Sequence, residues 1–237
     1  MTDGGMPSRF EPDLAPPEEL FSRIRSAVAA TPAAKHSTRL RIGLATAVVP
    51  VVTATVLLLA SLVYDRPALR VDLGTHPTSQ LLTVLLLVGA LTLLATLVST
   101  GRGERGLGPG VMSLSLVALL VTPIYAALAL VIPLGEGVAS AASAVEVSPW
   151  GLRCFAIAAT VGLFVLSSFT AALRRSAPVA SRLRGAALGA AAGAWAGLSV
   201  FVFCPATDLR HLLVGHVLPI AAFTLLGLTA IPRALRP

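Results

Sequence analysis

Few residues in this chain can do chemistry. There are two cysteines, Cys154 and Cys204, and four histidines. One stretch, FCPATDLRHLLVGH at 203–216, gathers Cys204, Asp208, His211 and His216. Cysteine thiolates and neutral imidazoles together suit soft or borderline metal ions, and Asp208 adds a carboxylate to the candidate ligands. Two thiols in an oxidising compartment can instead form a disulfide, provided their Cα atoms come within about 4.4–6.8 Å. A cysteine in an apolar run also serves simply as a small apolar residue. The cysteines lie 50 residues apart, so no tight CxxC-like spacing selects one chemistry. What matters is whether the fold brings Cys154 to the 203–216 stretch.

The positioning elements follow from composition. The chain is 55% hydrophobic and 12% charged, whereas soluble domains carry about 25% charged residues. Six segments, 42–63, 80–99, 110–133, 154–173, 185–205 and 212–231, are free of Asp, Glu, Lys and Arg. Each reaches the roughly 20 apolar residues that a helix needs to cross the hydrocarbon core. They are too long for buried strands, and they lack the polar alternation of a barrel strand. The expected fold is all-α: a polytopic membrane protein with a cytosolic tail, 1–38, and a six-span domain, 39–237.

Basic residues set the expected orientation. With the N-terminus inside, 14 of the 18 Lys and Arg residues fall on the inner side, and only Arg66, Arg70, Arg153 and Arg210 fall outside. Both termini are therefore expected in the cytoplasm. The net charge of +7 then answers the anionic inner leaflet rather than a nucleic acid. On this topology Cys154 and Cys204 lie at outer span ends, on the same face as His76, His211 and His216, with His36 inside. The polar start carries no signal-peptide pattern, so the tail is expected to stay in the cytosol.

Within the tail, PEELFSRIRSAVAATP at 17–32 has the signals of a short helix: Pro17, Glu18 and Glu19 at its start and Pro32 at its stop. Leu20, Phe21, Ile24 and Val28 share one face. That face either lies on the inner leaflet or docks into a partner's groove. In the fifth span, Gly185, Gly189, Gly193 and Gly197 recur every four residues and form a surface on which a second helix backbone can pack closely. The spans lack the intramembrane charges by which transporters handle ions and protons. No paired carboxylates, phosphate-cradling loop or Ser/His/Asp set is present, so no enzyme is expected. A small transporter or channel taking up solute at the outer Cys/His group, or a structural subunit of a membrane complex, are the alternatives to a regulator.

RRSAPVASRLRGAALGAAAGAWAGLSVFVFCP, the following HLLVGH, and the earlier cysteine in WGLRCF resemble the NrsF-type membrane anti-sigma factors. The likeness covers residues 150–220 at the level of motifs, and the whole chain in architecture. It implies a protein of the bacterial cytoplasmic membrane that holds an extracytoplasmic-function (ECF) sigma factor until a stress signal arrives. It also implies that Cys154 and Cys204 respond to metals or oxidants, with a metal ion at the outer Cys/His group as the one candidate cofactor. One departure stands out. The family often has His before its second cysteine, and here that position is Phe203: if that His binds a metal, then either His211 or His216 takes its part or this member senses something else. The sigma-binding residues, Leu20, Phe21, Ile24 and Val28, rest on amphipathicity alone.

Overall fold

The computed structural model describes residues 18, 22–23, 26, 37–64, 78–101, 110–135, 149–173, 181–204 and 208–234. The chain divides into two units, Met1–Ser37 and Thr38–Pro237. In the first, Glu18, Ser22, Arg23 and Ser26 are helical and exposed, and Ser26 Oγ donates to the Arg23 carbonyl at 2.9 Å. Leu20, Phe21, Ile24 and Val28 lie outside the described residues.

The second unit is helical throughout its described residues, with no strand among them. Its helices are α1 (Ser37–Tyr64), α2 (Thr78–Thr100), α3 (Val111–Gly135), α4 (Pro149–Leu173), α5 (Ser181–Phe203) and α6 (Leu209–Ala234). All six are long and apolar enough to cross a membrane. Leu62, Leu86, Leu97, Leu119 and Leu225 stand exposed on their outer surfaces, an arrangement that water disfavours and lipid does not.

Several helices begin before the apolar windows do. α4 starts at Pro149 rather than near 154, so Cys154 sits in its second turn, and α5 starts at Ser181 rather than 185. Hydropathy marks where side chains leave water, whereas the backbone hydrogen-bond ladder continues until a cap or a proline stops it. Proline is suited to a first helical position because its missing N–H has no partner to lose there. The extension of α5 makes Arg184 helical and buried, and its guanidinium donates to the Gly101 carbonyl at 3.1 Å. It thereby supplies a donor where the chain leaves α2, whose last carbonyls lack helical partners.

α5 is the centre of the unit. Of its apolar window 78% is buried, against 11% for α1. It packs on α2, α3, α4 and most extensively on α6, and its glycines explain why. A Cβ at Gly185 would collide with the Gly227 carbonyl, and one at Gly189 with the Phe223 carbonyl. At Gly193 it would lie 2.6 Å from Ile220 Cα. Each step of four residues turns an α-helix by about 40° beyond a full turn. By Gly197 the stripe has therefore rotated off α6 and onto α3, where an added carbon would sit 2.8 Å from Tyr125 Cζ. The buried Tyr125 ring rests there, and its hydroxyl donates to the Gly197 carbonyl at 2.7 Å.

Other polar side chains in these helices bond locally. Thr92, Thr96, Ser99 and Thr100 of α2 each donate to a carbonyl four residues earlier, at 2.7–2.8 Å. Thr96 Oγ1 also accepts from Trp195 Nε1 at 3.0 Å, a link between α2 and α5. In an apolar surround, such bonds remove the cost of a buried hydroxyl.

Three outcomes follow from this packing. Gly189→Leu should break the α5–α6 contact, so the purified chain aggregates or elutes broadly in detergent gel filtration. Gly89→Leu should elute like the parent, because a carbon added there meets nothing within 4 Å. Tyr125→Phe removes one buried hydrogen bond and should lower stability by about 1–3 kcal/mol, measured as the midpoint of denaturant unfolding in micelles.

Candidate functional site: a buried Cys/His group

Three elements converge at one end of the α4–α5–α6 bundle. Cys154 comes from the second turn of α4. Cys204 follows α5 directly, and its N–H donates to the Val200 carbonyl at 2.7 Å, so the last helical turn holds it in place. His211 and His216 come from the start of α6. One ligand atom from each of the four lies within 4.8 Å of the others. Cys204 Sγ is 3.2 Å from His211 Nε2, and the two imidazole centroids are 5.6 Å apart at 61°. Both cysteines are free thiols. The group is shut away from solvent: Cys154 is 3% exposed, Cys204 7%, His211 5% and His216 0%.

Local backbone chemistry makes the convergence possible. Asp208 caps the start of α6, its carboxylate accepting the His211 N–H at 2.9 Å. That fixes the backbone of His211, the third residue of the helix, and engages one carboxylate oxygen of Asp208. The sequence made Asp208 a candidate ligand beside His211 and His216. The structure places it outside the four-residue group, because its carboxylate serves the helix end.

The second device is a turn of π-helix at Leu213–Val217, within α6. On an ideal α-helix, residues five apart point about 140° away from each other. In a π-turn, bonding runs from i to i+5, so residue i+5 comes to lie over residue i. The wider winding thus returns His216 to the side occupied by His211. Proline at 219, inside α6 and buried, cannot donate to the carbonyl four residues before it, which favours a local departure from α-helical bonding.

Close approach is the third requirement. A Cβ at Gly215 would sit 3.0 Å from Cys154 Cβ and 3.6 Å from His211 Nε2. Gly151, one turn before Cys154, also faces His211, with more room: an added carbon would lie 3.9 Å from Nδ1, an ordinary contact. Neither glycine was marked by the sequence as part of a site. The signal available was their position, one helical turn from Cys154 and one residue from His216. A cavity of about 230 Å³ lined by Gly151, Leu152, Asp208, Arg210 and His211 opens beside the group.

Of the other residues read as functional, Gly185, Gly189 and Gly193 lie against α6 and Gly197 against α3, away from this group. Two sulfurs and two imidazoles enclosed in this way can bind a cation, and the two thiols can also be oxidised together.

A family model described as NrsF, negative regulator of sigma F, matches residues 27–236. No curated protein and no solved structure matches the chain. The matched region takes in all six apolar helices and all four residues of the buried group, and the chain belongs to the NrsF family of negative regulators of sigma F.

Proposed function

We propose that this protein is an anti-sigma factor anchored in a bacterial cytoplasmic membrane by α1–α6, with both termini in the cytoplasm. Its tail, residues 1–38, holds an ECF sigma factor away from RNA polymerase. The Cys154/Cys204 pair on the outer side responds to a metal or oxidative signal. The observation that carries this reading is the buried Cys/His group at one end of the helical unit of a chain in the NrsF family. The excess of Lys and Arg on the tail side of the spans supports the orientation.

The division of labour has a physical basis. By their spacing in the sequence, a helix over 17–32 would set Leu20, Phe21, Ile24 and Val28 on one face, which would gain by covering apolar surface on a partner. α1 continues from the tail in sequence and is the least buried of the six helices, so its packing is the least costly to alter. A change at the Cys/His group acts on the tail only if the two states of the bundle differ in how well they hold the sigma factor.

The test is co-expression of the full chain with the ECF sigma factors of its own genome, followed by membrane fractionation. One sigma factor should sediment with the membranes and its target genes should stay silent. Phe21→Asp, and a chain lacking residues 2–36, should each release it to the soluble fraction and raise transcription. Unchanged transcription on loss of the tail would refute the reading.

A further inference from the structure

We infer that Cys154, Cys204, His211 and His216 form a closed, four-coordinate site for one thiophilic divalent cation of the zinc class. The inference rests, for its regulatory meaning, on the proposed role of the same group as the sensing end. It goes further by naming the ligand and adding the two histidines to the cysteines.

The donor set is the first argument. Two thiolates and two imidazoles match a tetrahedral S2N2 sphere and do not suit hard, oxygen-seeking ions such as calcium or magnesium. Distances are the second. A tetrahedral ion with bonds of about 2.0–2.3 Å places its donors roughly 3.3–3.8 Å apart. The Cys204 Sγ to His211 Nε2 separation of 3.2 Å is already at that edge, and the 4.8 Å limit on the others is closed by side-chain rotation. Enclosure is the third. All four residues are buried, and Asp208, the nearest further carboxylate in sequence, is occupied with the helix cap. Four protein ligands with no open position make a structural rather than a catalytic type of site.

The backbone is also shaped for the group. Four ligands arrive from three separate elements, and Gly215 lacks the side chain that would crowd Cys154, an added carbon there lying 3.0 Å from Cys154 Cβ. The π-turn adjusts α6 just where two histidines must share a side. Such turns are uncommon and are frequently found at functional sites. A cavity lined by Gly151 and His211 lies beside the group. An ion bound there ties α4, the end of α5 and the start of α6 to one point. Its presence or absence therefore changes how these helices are held together.

The full chain, reduced and stripped of metal in detergent micelles, is titrated with Co2+ and then Zn2+. One equivalent of Co2+ should give intense visible bands of a four-coordinate ion with a near-ultraviolet thiolate charge-transfer band, and one equivalent of Zn2+ should erase both. Cys154→Ser and Cys204→Ser should each weaken the charge-transfer band. His211→Ala and His216→Ala should each weaken Co2+ binding by more than about tenfold, the least expected where even an outer partner costs that much. Asp208→Asn, which keeps a capping side chain, should bind as the parent does. The parent spectrum decides the matter even if a variant fails to fold. Pale six-coordinate bands without charge transfer, or histidine variants that bind as tightly as the parent, would overturn the site. Sigma-factor retention, scored on the same membranes, separates the two ideas. Retention without Co2+ binding overturns the ion site alone, and Co2+ binding without retention overturns the anti-sigma reading alone.

Discussion

The backbone of α5 lies directly against the backbone of α6, and the rest of the unit is arranged around that contact. Gly185, Gly189 and Gly193 leave no side chain between the two helices, so the Gly227 and Phe223 carbonyls and Ile220 Cα come up to α5 itself. Helices in an apolar solvent gain nothing from hiding apolar surface, and close van der Waals contact takes over as the source of affinity. The same contact sets the chemistry. Cys204 is the residue after α5, and His211 and His216 open α6, so the seam that aligns the two helices also decides where a sulfur and two imidazoles meet. α4 then delivers Cys154 by packing on both α5 and α6.

A second constraint works throughout the helices: a polar group among apolar neighbours must find its partner within the protein. Thr92, Thr96, Ser99 and Thr100 do so by bonding to their own helix. Tyr125, Trp195 and Arg184 do so by reaching across to a different one. The Cys/His group meets the same constraint in a way of its own. Its four members are buried together and address each other, which concentrates the strongest donors of the unit at one point. A bound ion or an altered sulfur there acts on three helices together, whereas a change at Thr92, which bonds within its own helix, acts on one.

Much of this was legible in the sequence, and what was not has physical reasons. The six helices could be read because crossing length and the exclusion of charge are both one-dimensional properties. The glycine stripe could be read because a four-residue repeat nearly keeps its face, although its drift from α6 to α3 at Gly197 depended on where Tyr125 lies. Helix starts were displaced by four or five residues at α4 and α5, since backbone bonding does not end where hydropathy does. The burial of Arg184 was hidden for the same reason. Asp208 looked like a ligand among ligands. Its place three residues before His211 is equally a capping signal, and the structure shows the cap in use. His211 and His216 are five apart, which on an ordinary helix means different faces, and only the π-turn reconciles them. The tail face of Leu20, Phe21, Ile24 and Val28 remains a matter of sequence pattern, as it lies outside the described residues.

The central claim of the proposed function is that chemistry at the Cys/His group governs whether the tail holds a sigma factor. It is tested most directly by following the location of the sigma factor in intact cells after brief exposure to a membrane-impermeant thiol oxidant or to a zinc-class metal salt. The account predicts that the sigma factor moves from the membrane to the soluble fraction in cells carrying the parent chain. It also predicts that the factor stays with the membrane in cells carrying Cys154→Ser or Cys204→Ser at equal protein level. A sigma factor that leaves the membrane equally well with either cysteine replaced would contradict it.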